Sequence, residues 1–105
     1  MVKSRKWEDL ISLDELEKGD VTNVKFGTKD LAVYDSKVGI FVSLSRCTHG
    51  AANLCDGYFD GIYIECPLHQ GLFDVRTGEA KAAPARVQLK MIQSRVKNEI
   101  IQIYI

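Results

Sequence analysis

The sequence predicts an all-β protein, an antiparallel sandwich or barrel, and three observations support this prediction. Short apolar runs rich in β-branched and aromatic residues recur along the 105 residues. Glycine-containing turn signals separate these runs, which is typical of antiparallel meanders. Helical patterning is limited to one short turn near the start of the chain. Many short strands with almost no helix indicate a sandwich or barrel.

The first half of the chain is predicted to be a meander of short strands. Ser12 and Glu15 have the spacing of a capping box, in which each residue satisfies the backbone of the other. Only one short helical turn can follow, because Gly19 ends it. The predicted strands of this half cover residues 2–11, 21–26, 31–34 and 40–42.

The second half continues with short strands between turn dipeptides. Asp56-Gly57 and Asp60-Gly61 are turn signals, and Asn98 marks a later turn. Residues 87–91 alternate cleanly between apolar and polar side chains, which predicts a strand. The predicted strands of this half cover residues 62–64, 72–75, 87–91 and 100–105.

Length and charge narrow the classes of function. A chain of 105 residues is expected to be one domain, residues 1–105. Its formal net charge of zero gives no reason to expect binding to nucleic acid or to an anionic membrane. The segment from Met1 to Leu10 is charged and lacks an apolar core, so we expect neither a signal peptide nor a membrane span.

Two short clamps carry the chemistry of this sequence. Cys47-Thr48-His49 and Cys66-Pro67-Leu68-His69 are separated by sixteen residues, and they contain the only two histidines of the chain. Thiolate and imidazole ligands suit zinc, or an iron–sulfur cluster in which two histidines replace two cysteines. Zinc fingers usually place two cysteines in one clamp and two histidines in the other, whereas each clamp here has one cysteine and one histidine. A mixed clamp suits a binuclear cluster, with both cysteines on the inner iron and both histidines on the outer one.

These clamps, with their following glycines in Cys47-Thr48-His49-Gly50 and Cys66-Pro67-Leu68-His69-Gln70-Gly71, resemble the two ligand loops of Rieske [2Fe–2S] proteins. The likeness covers almost the whole chain. Its nearest form is the small Rieske ferredoxin of bacterial aromatic-ring-hydroxylating dioxygenase systems, of the naphthalene type. The resemblance implies that Cys47, His49, Cys66 and His69 bind one [2Fe–2S] cluster, in a cluster-binding subdomain of about residues 46–73. It also implies a third loop at Pro84 that covers the cluster.

The resemblance further implies an electron carrier and not an enzyme. A flavin-dependent, NADH-oxidising ferredoxin reductase would load the ferredoxin, and a Rieske non-haem iron terminal oxygenase would unload it during aromatic hydrocarbon catabolism. We expect a cytoplasmic monomer. Three cysteines are an odd count, so Cys55 would remain a free thiol, which suits a reducing compartment.

The resemblance also places the reduction potential at the low end of the Rieske range, which runs from about −150 to +300 mV. Respiratory Rieske proteins have a disulfide between the clamps, but here Cys55 is offset and Leu68 fills the second position. Those proteins also place serine and tyrosine hydroxyls near the cluster sulfurs, where this chain has Gly71 and Phe73. Hydrogen bonds to sulfur raise the potential, so their absence lowers it.

Two other interpretations of the clamps remain open from the sequence. One is a zinc-stapled interaction module, which would be colourless where an iron–sulfur protein is red-brown. The other is a Rieske subunit of a different system, such as nitrite reductase. The Cys66-Pro67-Leu68-His69-Gln70-Gly71 run and the short chain favour the dioxygenase ferredoxin.

Overall fold

A computed structural model describes residues 4–48, 52–68, 70–83 and 85–105. Within these ranges the chain consists of antiparallel strands and two 3-10 helical turns, Leu13–Glu15 and Leu54–Asp56. This confirms the predicted all-β class. The described residues include no helix with the length and apolar character needed to cross a membrane.

Eleven strands in the described part of the chain form three antiparallel sheets. We call them the terminal sheet, with strand order β1-β11-β10, the central sheet, β2-β3-β4-β9, and the ligand sheet, β5-β6-β7-β8. The ligand sheet is named for Cys66, a predicted ligand that directly follows β6. The strands are β1 Trp7–Ser12, β2 Val21–Phe26, β3 Lys29–Ser36, β4 Gly39–Leu44, β5 Tyr58–Phe59, β6 Tyr63–Glu65, β7 Leu72–Asp74, β8 Ala80–Ala82, β9 Met91–Ile92, β10 Ser94–Lys97 and β11 Ile100–Tyr104.

Strand β3 is buried on both faces, because the central sheet lies between the other two. Leu31 and Val33 join a core cluster with Ile101 and Ile103 of the terminal sheet. The opposite face of β3 carries Tyr34, which packs in a second cluster that includes residues of the ligand sheet. Alternate strand residues point to opposite faces, so an uninterrupted apolar run suits a middle layer.

The turn at Asn98 is confirmed. Asn98 and Glu99 both have left-handed backbones, with φ of 53° and 64°. They connect Lys97 to Ile100, which pair across the β10–β11 hairpin. Two consecutive left-handed residues are the geometry of the tight hairpin turn that matches strand twist, and asparagine tolerates it well.

The predicted capping box is wrong, although the single helical turn is confirmed. The side chain of Ser12 makes no capping bond. Its hydroxyl instead donates to Asp14 Oδ1 at 2.6 Å. The helical element is a single 3-10 turn of three residues, Leu13–Glu15, which is too short to present the backbone N–H groups of an α-helical first turn that a capping box satisfies.

The predicted strand over residues 87–91 is also largely wrong. Only Met91 of that run lies in a strand, paired with Ser43 of β4. The carbonyl of Val87 accepts from the Thr48 hydroxyl at 2.7 Å, and the Leu89 N–H donates to the Gly78 carbonyl at 2.8 Å. These tertiary bonds take the backbone groups that a strand ladder would need.

Asp74, in the ligand sheet, is nearly buried and makes the stability of the fold depend on pH. Arg76 donates to its carboxylate from the backbone N, Nε and Nη2 at 2.9, 3.0 and 2.8 Å. These side-chain and backbone bonds hold the pKa of Asp74 below its usual value. Because the pKa is lower in the folded state, this stabilisation is present above the ordinary carboxyl pKa and is lost as the pH falls through the folded one.

We therefore expect Asp74→Asn to lower the free energy of unfolding by about 1–2 kcal/mol at pH 7. The difference from wild type should shrink as the pH falls below about 4, because the carboxylate is protonated there in the unfolded chain and only at still lower pH in the folded one. Urea unfolding of both proteins at pH 7 and at a pH below about 4 measures the two differences in the free energy of unfolding. Asp56→Asn, at an exposed carboxylate, is the control. An Asp74→Asn effect of the same size at both pH values would contradict the assignment.

Candidate metal centre

Each cysteine of the two clamps begins a loop that is closed in the same way. The Cys47 N–H donates to the Ala52 carbonyl at 2.9 Å, and the Cys66 N–H donates to the Gly71 carbonyl at 2.7 Å. In both cases the acceptor lies five residues further along the chain, from 47 to 52 and from 66 to 71. The first ligand loop, residues 47–52, follows β4, and the second ligand loop, residues 66–71, joins β6 to β7.

Antiparallel backbone pairing supports the base of each loop. Arg46 and Asn53 form a bridge that flanks the first loop, and Glu65 pairs with Leu72 across the second. We call this paired backbone at the base of a loop its neck. The two ligand loops have necks of the same kind, although they come from distant parts of the chain. Such pairing fixes the two ends of each loop relative to each other, which suits a rigid metal site.

The thiols of Cys47 and Cys66 lie side by side in the interior. Cys66 has no exposed surface and Cys47 is 2% exposed. Burial and then the adjacent Cys47 thiol raise the pKa of the Cys66 thiol. Two buried thiolates would repel each other, so the charged pair needs a cation between them. The two sulfur donors therefore fit a thiolate-bound iron.

The two predicted histidine ligands, His49 and His69, lie outside the described residues, as do Gly50 and Pro84. Among the described residues no group of three or more metal-ligating side chains occurs. The structure thus brings together the two cysteine members of the predicted ligand set.

A backbone donor already points at one sulfur. The Leu68 N–H lies 3.4 Å from Cys66 Sγ. Gln70, further along the second ligand loop, has a left-handed backbone with φ of 61°. Phe73, just beyond the loop, is fully buried in the same group of core side chains as Cys47 and Cys66. The Cys66 sulfur therefore has one backbone donor, and an aromatic ring belongs to the same buried group of side chains.

A third segment covers the first ligand loop. The bond from Thr48 Oγ1 to the Val87 carbonyl ties that loop to the segment over residues 85–90. Ala85 and Leu89 anchor the segment because both are buried, while Val87 between them is 64% exposed. Residues 85–90 are therefore attached to the first ligand loop, while the predicted cover at Pro84 lies outside the described residues. The sequence did not suggest the role of Thr48, since its partner is 39 residues away.

Cys55 takes no part in the cysteine pair. None of the three cysteines forms a disulfide in the structure. The Cys55 thiol instead lies 3.7 Å from Asn23 Oδ1 and 3.8 Å from Ser45 Oγ.

Comparison with known proteins agrees with this geometry. Residues 6–94 match the Rieske [2Fe-2S] domain model. The ferredoxin component of the naphthalene 1,2-dioxygenase system of Pseudomonas aeruginosa is 41% identical over 100 residues, which cover 95% of this chain and 96% of the relative.

Two solved structures share the fold. Sphingomonas yanoikuyae B1 ferredoxin superimposes with a TM-score of 0.88 at 36% identity, covering 95% of this chain and 99% of its own. A chain from the complex of reduced oxygenase and oxidized ferredoxin in carbazole 1,9a-dioxygenase gives a TM-score of 0.85 at 32% identity, covering 93% and 92%.

The chain belongs to the Rieske [2Fe–2S] family, and it carries one cluster of that type. Within the family it is a ferredoxin similar to the ferredoxin components of aromatic dioxygenase systems. Such a component is an electron carrier and not a catalytic enzyme, as the sequence predicted.

Proposed function

We propose that this ferredoxin carries single electrons from an NADH-dependent flavin reductase to a Rieske non-haem iron oxygenase that hydroxylates aromatic rings. Electron transfer within a dioxygenase system follows from the ferredoxin relatives. The carbazole relative, which was solved as a complex of oxygenase and ferredoxin, supports an oxygenase as the acceptor. The reductase as donor, the cytoplasmic location and the monomeric state are inferred from the family resemblance alone.

We further propose that Cys47 and Cys66 hold the inner iron, and that His49 and His69 hold the outer one. The observation that carries this assignment is the buried, adjacent pair of cysteine thiols at the bases of two matching loops. Each histidine follows its cysteine within three residues, so each belongs to the same loop as that cysteine. Residues 46–73 would form the cluster-binding subdomain of a single domain over 1–105.

When bound, the cluster supplies a one-electron couple, and its two imidazole ligands raise the potential above that of a four-thiolate site. The chain supplies the surroundings. Cys47 and Cys66 are shielded from water, the Leu68 N–H is aimed at Cys66 Sγ, and Thr48 holds the covering segment over the first loop.

Purified protein tests the proposal in two stages. The first measures iron, acid-labile sulfide and the EPR spectrum after dithionite reduction. We expect two irons and two sulfides per chain, from the cluster stoichiometry, and an average g below the free-electron value. A colourless protein that holds zinc would overturn the ligand assignment in favour of a structural zinc module.

The second stage measures electron flow. NADH, a flavin reductase and a naphthalene-type oxygenase are combined with and without the ferredoxin, and product formation from naphthalene is followed. We expect turnover to depend on the ferredoxin. If the ferredoxin passed electrons to a Rieske-type nitrite reductase partner and not to the oxygenase, the proposed acceptor would be rejected.

A further inference from the structure

Three polar side chains converge on one oxygen atom behind the first ligand loop. Asn23 Oδ1, on strand β2, accepts from Ser45 Oγ at 2.8 Å and from Asn53 Nδ2 at 3.2 Å. The Cys55 thiol donates to the same oxygen at 3.7 Å. We call Asn23, Ser45, Asn53 and Cys55 the polar hub.

The proton inventory of the hub makes Cys55 a donor. Ser45 has one hydroxyl proton, and it is directed to Asn23 Oδ1. The Cys55 thiol also has one proton, and two acceptors share it, Asn23 Oδ1 at 3.7 Å and Ser45 Oγ at 3.8 Å. Burial raises the pKa of the Cys55 thiol to about 11, so the thiol keeps this proton near neutral pH. A protonated thiol is a poor nucleophile, which fits a structural role for Cys55.

The hub holds both sides of the neck of the first ligand loop. The Leu54 N–H donates to the Ser45 carbonyl at 2.7 Å, directly beside the bond that joins Cys47 to Ala52. Ser45 lies on one side of this neck, and Asn53 lies on the other. Asn53 Oδ1 also accepts from the Cys55 N–H at 2.8 Å, which sets the turn that follows.

Asn23 connects this neck to the central sheet. Its Nδ2 donates to Asp30 Oδ1 at 3.2 Å on strand β3. The Asp30 carbonyl in turn accepts from the Ser45 N–H at 3.0 Å. The backbone that precedes Cys47 is therefore fixed to the central sheet from two directions.

We propose that the polar hub positions the first ligand loop, and that Cys55 serves as a hydrogen-bond donor within it. The proposal rests on the assignment of Cys47 and His49 as cluster ligands. By holding the neck of the loop, Asn23 keeps Cys47 at the separation from Cys66 that the cluster needs. Loosening the neck would speed the release of the cluster and broaden the distribution of ligand geometries.

Asn23→Leu in the holoprotein tests the hub, because leucine has a similar size and lacks the central acceptor. We expect loss of visible absorption in the presence of a ferrous chelator to be roughly tenfold faster than in wild type. Cys55→Ala should be faster by a few-fold, while Cys55→Ser, which retains a donor, should stay close to wild type. Ser45→Ala should also be faster, and it serves if Asn23→Leu yields no folded protein.

Ile101→Val is the matched control, since it removes one buried methyl group from the core between the terminal and central sheets. Ile101→Val should lower the thermal unfolding midpoint. After correction for that lower midpoint, its rate of cluster loss should equal that of wild type. The EPR lines of the reduced protein should broaden in Asn23→Leu and not in Ile101→Val.

The rates of cluster loss from Asn23→Leu and Ile101→Val are compared after correction for their unfolding midpoints. Equal corrected rates would overturn the positioning role of the polar hub. Equal rates for Cys55→Ala and Cys55→Ser would overturn the donor role of Cys55. A wild-type protein without a cluster would reject the proposed function instead, so the two failures are distinct.

Discussion

Replacing Cys47 or Cys66 by serine is expected to abolish cluster binding. Both positions are buried and face each other, so a serine there would present a hydroxyl that resists ionisation and binds iron poorly. Iron and acid-labile sulfide should fall below about a tenth of the wild-type content, because a residue that binds the iron contributes more than one that only hydrogen-bonds to a ligand, whose loss costs about 10–100-fold in affinity. Metal analysis and visible absorption of the purified variants measure this.

Cys55→Ser is the matched control, since it makes the same chemical change at the third cysteine. Cys55 takes no part in the Cys47–Cys66 pair, and serine retains a donor for the polar hub. This variant should therefore keep its cluster. Loss of the cluster from Cys55→Ser, or its retention in Cys47→Ser or Cys66→Ser, would contradict the ligand assignment.

Phe73→Tyr is expected to raise the reduction potential. Phe73 is fully buried in the cluster of side chains that contains Cys47 and Cys66, at the position where the family resemblance places a tyrosine in high-potential relatives. A hydroxyl that donates to sulfur stabilises the reduced, more negative state. A preference of about 1 kcal/mol corresponds to about 40 mV for a one-electron couple. A spectroelectrochemical titration measures the shift.

Phe59→Tyr makes the same substitution at a nearly buried ring of the same side-chain cluster, one that packs against Tyr34 at 5.5 Å between centroids. Its potential should remain near that of wild type. A shift of equal size in both variants would show that an added buried hydroxyl acts through general polarity. A fall in the potential of Phe73→Tyr would refute the proposed bond to sulfur.

Local patterns predicted most of the strands and the two clamps. The β-branched run that contains Leu31 and Val33 predicts a strand in any sheet, because its side chains favour extended backbone. The clamps are equally local, since each places a cysteine and a histidine within three residues of one another. Spacing of this kind restricts the metal chemistry before any fold is known.

Local patterns failed where a backbone or side-chain group found a distant partner. Alternation over residues 87–91 predicted a strand, but Val87 and Leu89 bond to Thr48 and Gly78 instead. The capping box at Ser12 failed for a local reason, because only a single 3-10 turn follows it. Over residues 87–91 the partners depend on which groups lie close in space.

By itself, the sequence determined the all-β class, the two clamps and the Rieske family, because each of these depends on residues close together in the chain. Only the tertiary structure decided that β3 is the middle layer and that the thiols of Cys47 and Cys66 meet. It alone also showed that Asn23 supports a loop more than twenty residues away. These features depend on contacts between distant segments, and burial in a shared core determines which segments meet.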